Sequence, residues 1–325
     1  MKAIGLARTL VVGAVAFAAF AANAQTKEVV VYTAAPGAVV DALTDRHAKE
    51  TGVKVQVVKA GSGDLIRRVR AESAAPKADV IWSVGGEQLE SNKDLLSEFT
   101  PAEDAAILPA YKISKAWAPY SGILAVFSVN TKLLKPEEYP TTWKDLAHPR
   151  WKGKITSARA DASGSAFQQY ATVLTIYGSE GPAIYKAILD NINFATSSGV
   201  VNRLVNDGEA AVGITLEDDA LQYKNNGGPI AIVMPADGTS TVPDGMALIK
   251  GAPSPEEGRK FLNWMLSKPV QDYVVKETNR RSSRIDTPFP GTPITAIKTV
   301  DYDILKIAAQ RDDLLRQWRA MAVGR

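Results

Sequence analysis

Short apolar, β-branched runs alternate with longer segments of helical periodicity along most of the chain. The first run, residues 28–32, is followed by a predicted helix over 38–51 and a second predicted strand over 53–58. Another helix opens at residues 62–64, and a third strand covers residues 78–83. This β-α-β-α-β order predicts parallel strands joined by right-handed crossovers, and therefore an α/β fold.

Two long apolar runs, residues 122–130 and 245–250, could each carry the chain between two lobes. Between them the pattern predicts strands at 154–156, 210–215 and 230–234 and helices at 165–177, 181–189 and 200–207. We expect a two-lobed α/β fold, with two mixed sheets flanked by helices, a hinge and a cleft between the lobes. The expected lobes are residues 25–124 plus 241–290, and residues 125–240 plus 291–325.

The predicted cleft is surrounded by loops that suit close contact with a ligand. Open parallel sheets bind ligands at the carboxyl ends of their strands, where the small-residue loops 33–37, 60–64 and 84–87 fall. In the second lobe, segments 162–166 and 196–199 each place backbone N–H groups and hydroxyls at the start of a helix. Such positions attract anions, although serine and threonine there also serve as ordinary helix caps.

Two charged clusters accompany these loops. Glu217, Asp218 and Asp219 follow a predicted strand, where carboxylates could accept hydrogen bonds from ligand hydroxyls or an ammonium group, bind a metal, or simply begin an acidic helix. The basic run 280–284, with three arginines, could bind a phosphate or carboxylate, or form a solvated face or a docking patch.

The N-terminus has the features of a secretory signal peptide. Lys2 and Arg8 precede an apolar core at residues 10–22, and the small residues of Ala22-Asn23-Ala24 follow. The apolar core is shorter than the roughly 20 residues of a membrane span. We expect cleavage of residues 1–24 and a mature protein in the periplasm.

The composition and the missing motifs exclude several classes of function. The chain has no cysteine, which excludes disulfides and thiolate chemistry, and its net charge of +3 gives no basic footprint for nucleic acid. Only two histidines occur, and the nucleophile-elbow, zinc-protease and phosphate-loop motifs are all missing from the sequence. A catalytic function is therefore not expected.

A series of motifs resembles a known family. VVVYTA, GSGDLIRRVRAE, ADVIW, HPRWKGKI, SGSAF, ATSSG, DGEAAVGIT and GAPSPEEGRKFLNWMLS occur in this order over nearly all of the mature chain. The sequence resembles the periplasmic substrate-binding proteins of ABC transporters in the ferric-iron-binding-like group (extracellular solute-binding family 1). The resemblance implies capture of a small solute in the cleft and its delivery to a membrane permease.

Differences within this family favour its organophosphate and phosphonate branch. The iron carriers have adjacent tyrosines where this chain has residues 216–219, and they often have a histidine and a glutamate where residues 34–36 and 84–85 stand here. The SGSAF turn matches the segment that holds an anion in the family. The resemblance therefore implies a small phosphorylated or phosphonate-like anion. The alternative is a carrier of ferric iron or another metal ion with carboxylate ligands.

Residue chemistry and resemblance together give a set of expected ligand-binding residues: Thr33, Ala34, Ser62, Gly63, Gly85, Ser163, Gly164, Ser165, Ser197, Ser198, Glu217, Asp219 and Thr239. We expect no cofactor and no resident metal. The expected partners are the small anionic solute and the ABC permease subunits in the inner membrane, with their cytoplasmic ATPase. The protein is expected to be a monomer that does not bind nucleic acid.

Overall fold

The structure is a computed structural model that describes residues 27–324, so the predicted signal peptide lies outside the described residues. The first elements are β1 (Glu28–Thr33), α1 (Gly37–Thr51), β2 (Lys54–Lys59), α2 (Ser62–Ala71), β3 (Val80–Gly85), α3 (Gly86–Glu90) and β4 (Leu96–Ser97). Strand β1 pairs in parallel with both β2 and β3. The predicted β-α-β-α-β unit is confirmed.

The middle of the chain forms a second group of elements. They are β5 (Ala118–Asn130), β6 (Ile155–Ser157), α4 (Gly164–Tyr177), α5 (Gly181–Leu189), β7 (Ile192–Phe194), α6 (Ser198–Asn206), β8 (Val212–Leu216), α7 (Glu217–Asn225) and β9 (Ile230–Val233). The chain then continues through β10 (Thr241–Ile249), α8 (Pro255–Leu266), α9 (Lys268–Thr278), β11 (Arg281–Ser282) and α10 (Ile304–Met321).

Strand β5 joins two parts of the sheet. The strand order is β2-β1-β3-β10-β5-β8-β6-β7, and β5 pairs with β10 up to Leu124 and with β8 from Ala125. We call the part around β1, β2, β3 and β10 the first lobe, and the part around β6, β7, β8 and β9 the second lobe. Strand β5 begins four residues before its predicted start, because the pairing with β10 continues through a register shift beside Pro119.

Each lobe has its own hydrophobic core. In the first lobe, apolar side chains of β1, β3, α8 and α9 pack together, with Trp82 and Phe261 among the buried residues. In the second lobe, Phe127, Phe167 and Trp318 are buried in one cluster. Helix α10 contributes Trp318 to that cluster, so the C-terminal helix is part of the second lobe. The two-lobed α/β fold is confirmed, with the two expected sheets joined into one large mixed sheet through β5.

Local sequence explains where the cavity-facing helices begin. Ser163 precedes α4, and its hydroxyl accepts a hydrogen bond from the backbone N–H of Ala166, as a helix cap does. Helix α2 is amphipathic, with Leu65, Ile66 and Val69 buried on one face. Among residues 27–324, no helix combines the length and the apolar composition that crossing a membrane requires.

Candidate binding site between the lobes

A cavity of about 360 Å³ lies between the two lobes, at the ends of β1, β2, β3 and β8. Nine residues of the expected set line it: Ala34, Ser62, Gly85, Ser163, Gly164, Ser165, Ser197, Ser198 and Asp219. The loops predicted to surround the cleft therefore do come together. The volume suits a small organic solute more closely than a bare ion.

One part of the lining is rich in hydroxyl groups and helix starts. We call the lining residues Ser62, Ser163, Gly164, Ser165, Ser197 and Ser198 the serine-rich wall. They stand at the N-termini of α2, α4 and α6, where the first backbone N–H groups of each helix have no partner within the helix. Three positive helix ends at one cavity favour a negatively charged ligand.

Contacts across the cavity hold the two lobes close together at this wall. The backbone N–H of Gly164 donates to the hydroxyl of Ser62 at 3.3 Å, and that of Gly63 donates to the carbonyl of Ala162 at 3.4 Å. A Cβ placed on Gly61 would lie 2.6 Å from the carbonyl oxygen of Ala162. Glycine at position 61 is therefore what allows the backbones of the two lobes to approach this closely.

The other part of the lining carries charge. We call Asp219, Asp244 and Arg280 the charged wall. Arg280 is 3% exposed and forms ion pairs with Asp244 and, at 2.8 Å, with Asp218. Because Asp218 lies in the second lobe and Asp244 in the first, this arginine joins the two lobes through charged groups.

Asp219 differs from its neighbours in the charged wall. Within the described part of the chain its carboxylate has no ion pair, whereas Asp218 and Asp244 both pair with Arg280. Burial, together with the neighbouring charge of Asp218, raises the pKa of Asp219 to about 7. Burial also raises the pKa of Asp244 above its usual value. Asp219 is thus the carboxylate of this wall that is available to a polar or cationic group of a ligand.

Four residues of the expected set do not line the cavity. The hydroxyl of Thr33 accepts a hydrogen bond from the backbone of Ala35 and so shapes the loop after β1. Gly63 makes the cross-lobe contact described above. Thr239 is buried, and its hydroxyl donates to the carbonyl of Ala125 beside β5. Glu217 accepts two hydrogen bonds from the guanidinium of Arg281, at 2.7 and 2.9 Å.

The basic run at residues 280–284 divides into different roles. Arg280 belongs to the charged wall, whereas Arg281 is held by Glu217, and Arg284 pairs with Glu103 and Asp286. Buried arginines with fixed carboxylate partners are structural groups and do not form a solvated face. The run is therefore neither a free phosphate-binding cluster nor a solvated patch.

Several lining residues were not in the expected set. They are chiefly Lys59, Ser83, Arg159, Asp244 and Arg280. Ser83 has a φ of 60°, a left-handed conformation unusual outside glycine, and its hydroxyl donates to Asp244 at 2.7 Å. The basic run could have indicated Arg280, and the position of Ser83 at the end of a predicted strand could have indicated that residue. Asp244 had a weaker signal, as a single acidic residue beside an apolar run.

The cavity offers little to a hard metal ion. Its lining contains no histidine or tyrosine. Within residues 27–324, no group of three or more histidine, cysteine, aspartate or glutamate side chains is arranged to hold a metal. Hydroxyls and helix N-termini favour a negatively charged group of a ligand, whereas the carboxylate of Asp219 favours a hydroxyl or ammonium group.

Comparison with known proteins identifies the family. The family model of the bacterial extracellular solute-binding proteins matches residues 29–277. The chain belongs to this family. Its members bind small solutes and act with ABC transporter permeases; they are transport proteins and not enzymes. The expectation of a periplasmic solute-binding component of an ABC importer is confirmed.

Relatives of this solute-binding protein fall into the expected branches. It is 29% identical over 243 residues to a putative 2-aminoethylphosphonate-binding periplasmic protein of Salmonella typhimurium, covering 71% of this chain and 69% of the relative. It is 29% identical over 204 residues to an Fe(3+)-binding periplasmic protein of Serratia marcescens, covering 61% and 59%. The periplasmic binding protein AfuA of Actinobacillus pleuropneumoniae, solved with fructose-6-phosphate, has 25% identity and a TM-score of 0.85, covering 91% of this chain and 98% of AfuA.

Proposed function

We propose that the mature protein works in the periplasm and binds a small solute carrying a phosphoryl or phosphonyl group. The observation that carries this proposal is the convergence of three helix N-termini at the serine-rich wall. A tetrahedral, multiply charged oxyanion can accept hydrogen bonds from several N–H and hydroxyl groups at once. Relatives named for a phosphonate and solved with a sugar phosphate support the same solute class.

The rest of the solute would lie against the charged wall. The carboxylate of Asp219 would accept hydrogen bonds from an ammonium or hydroxyl group of the solute. Arg280 is already paired with two carboxylates, so it contributes little net positive charge to the cavity. An amine-bearing phosphonate would therefore match both walls.

Lobe closing would complete the site. We propose the lobe boundaries given above, residues 25–124 plus 241–290 and residues 125–240 plus 291–325, after cleavage of the signal peptide. The change in the partner of β5 between Leu124 and Ala125 supports the first boundary. Closing would exclude water, which strengthens the hydrogen bonds around the solute. The closed protein, as a monomer, would then dock on the permease.

A thermal-shift panel tests the solute class. We expect 2-aminoethylphosphonate or another phosphorylated solute at 100 times its Kd to stabilise the protein by about 2.7 kcal/mol.

Asp219→Asn should weaken the binding of 2-aminoethylphosphonate by about tenfold, because it removes a charge-assisted hydrogen bond. The binding of 2-hydroxyethylphosphonate should weaken less. Isothermal titration calorimetry measures both affinities.

The matched control is Asp64→Asn. Asp64 also lines the cavity, but it is exposed and already paired with Arg67, so its replacement should change either affinity by less than about threefold. An unmoved melting point with aminophosphonates, sugar phosphates and inorganic phosphate would contradict the anion proposal. Stabilisation by ferric iron alone would favour the metal-carrier alternative.

A second prediction concerns the hydroxyl of Ser163. Ser163→Ala should lower the free energy of unfolding by about 1 kcal/mol, because a helix cap is lost. It should also weaken the binding of the phosphorylated solute by about fivefold to tenfold. The control is Asp303→Ala, because Asp303 caps α10 through the backbone N–H of Lys306 and does not line the cavity. Thermal unfolding and calorimetry on both variants separate the two effects. Equal affinities in both variants would show that the Ser163 hydroxyl only caps the helix.

A further inference from the structure

A second contact between the lobes lies behind the cavity. Helix α3 continues directly from β3 of the first lobe, and it packs against α10 of the second lobe. Glu87 of α3 lies in this contact and is 1% exposed. On the α10 side, Arg311 is 8% exposed and stacks over the ring of Phe167 at 4.7 Å.

The Glu87 carboxylate is buried and faces its own backbone N–H. In the described part of the protein no other residue donates a hydrogen bond to its oxygens, and the hydroxyl of Tyr302 and Nε of Arg311 likewise have no hydrogen-bond partner. The charged or titratable groups that face Glu87 are Arg311 on α10, Tyr302 just before α10, and Asp244 on β10. One cation, one phenol and one further carboxylate therefore surround it.

A carboxylate in such a position is expensive to keep ionised. Taking a charge out of water with few hydrogen bonds to replace those of water is unfavourable, and a carboxylic acid avoids this cost by holding its proton. Arg311 offsets part of the cost, whereas Asp244 adds to it. The net effect of burial is to raise the pKa of Glu87 to about 7.

We propose that Glu87 links closing of the lobes to proton uptake, so that closing, and with it solute retention, is favoured at lower pH. This rests on the hinge-closing function proposed above. When the lobes separate, α3 and α10 part and water reaches Glu87, which then ionises as an ordinary glutamate. When they close, the carboxylate is buried again and takes up a proton.

The direction of the pH effect follows from the two protonation states. The closed form holds the proton more tightly than the open form, so closing is most favourable below the ordinary glutamate pKa of about 4.3. The advantage is lost as the pH rises towards 7 and does not change further above about pH 8. Above that range, closing buries an ionised carboxylate beside Arg311.

The test measures lobe closing directly, without a solute. The chain has no cysteine, so Lys77→Cys in the first lobe and Lys152→Cys in the second can carry spin labels without other labelled positions. Both lysines are exposed. Electron–electron distance measurements then give the closed and open populations at pH 5.5 and pH 8.

The informative variant is Glu87→Gln, which resembles the protonated acid at every pH. We expect its closed-to-open ratio at pH 8 to exceed that of the wild type by about tenfold or more, and its pH dependence between 5.5 and 8 to be much smaller. Asp219 titrates in both proteins, and because Asp244 faces Glu87, the pH dependence that remains in Glu87→Gln measures the contribution of these two aspartates. A residue that served packing alone would not shift these populations with pH.

Glu90→Gln is the matched control on the same helix. Its carboxylate pairs with Lys93 and accepts a hydrogen bond from Trp117, both in the first lobe, so the distances should not change. Equal distance distributions for wild type and Glu87→Gln at both pH values would overturn the proposal. Failure of every phosphorylated solute in the thermal-shift panel would instead contradict the proposed function and leave this result unaffected.

Discussion

Replacing Gly61 with alanine is expected to weaken binding of a phosphorylated solute by about tenfold to a hundredfold. The added Cβ would lie 2.6 Å from the carbonyl oxygen of Ala162, and both groups are backbone-fixed, so the lobes would have to stay further apart. Steric overlap of this kind in a packed contact typically costs about 1–3 kcal/mol. Calorimetric titration with 2-aminoethylphosphonate, or with the panel solute that binds wild type, measures the loss.

The free protein should not lose stability. Gly61 has φ −63° and ψ 147°, a conformation that alanine adopts without strain, and the overlap arises only when the lobes are close. Gly37→Ala is the control, since its Cβ would meet only the flexible end of the Lys59 side chain, at 3.1 Å. Wild-type affinity in Gly61→Ala would mean that solute binds without the Ser62 loop approaching the α4 turn.

The framework of the fold could be predicted from the chain because local patterns determine it. Alternation of apolar runs with helical periodicity placed β1, β2, β3 and the crossing strand β5 to within a few residues. Helix-start chemistry likewise indicated which loops would gather at the cavity, and Ser163, Ser197 and Ser62 do line it. These features depend on residues close together in sequence.

The charged wall could not be predicted in the same way. Residues 217 and 219 are both acidic, but successive residues of a helix turn by about 100°, so the two side chains leave α7 in roughly opposite directions. Asp219 reaches the cavity, whereas Glu217 binds Arg281, which is 64 residues away along the chain. The local sequence separates the faces of these two carboxylates but does not show which face meets the cavity.

Contacts between residues far apart in sequence also determine which arginine of the basic run lines the cavity. Arg280 enters the cavity wall because Asp218 and Asp244, from different lobes, lie on either side of it. Its neighbour Arg281 follows in the short strand β11, which pairs with β5 opposite Gly122. Arg280 lies just before β11, so pairing with β5 fixes Arg281, which binds Glu217, whereas Arg280 meets the cavity.

Removing the carboxylate of Asp244 is expected to destabilise the folded protein by about 3–5 kcal/mol. Asp244 is 3% exposed, pairs with Arg280 and accepts a hydrogen bond from Ser83. In Asp244→Ala the guanidinium of Arg280 would stay buried with only Asp218 opposite it. Loss of one partner of a buried ion pair is costly because the remaining charge cannot return to water. Urea unfolding at pH 7 measures the change.

Asp207→Ala is the comparison variant for this measurement. Asp207 also pairs with an arginine, Arg203, but both side chains are exposed, so the loss should be below about 1 kcal/mol. Replacing Asp244 also removes the acceptor of the Ser83 hydroxyl, whose backbone has a left-handed conformation. The lost hydrogen bond adds to the expected loss of stability. A loss in Asp244→Ala as small as that in Asp207→Ala would mean that Arg280 regains solvent through the cavity. The charged wall would then be hydrated, and a solute would have to displace this water on binding. The ion pairs of Arg280 between the lobes would in that case contribute more to solute selection than to folding.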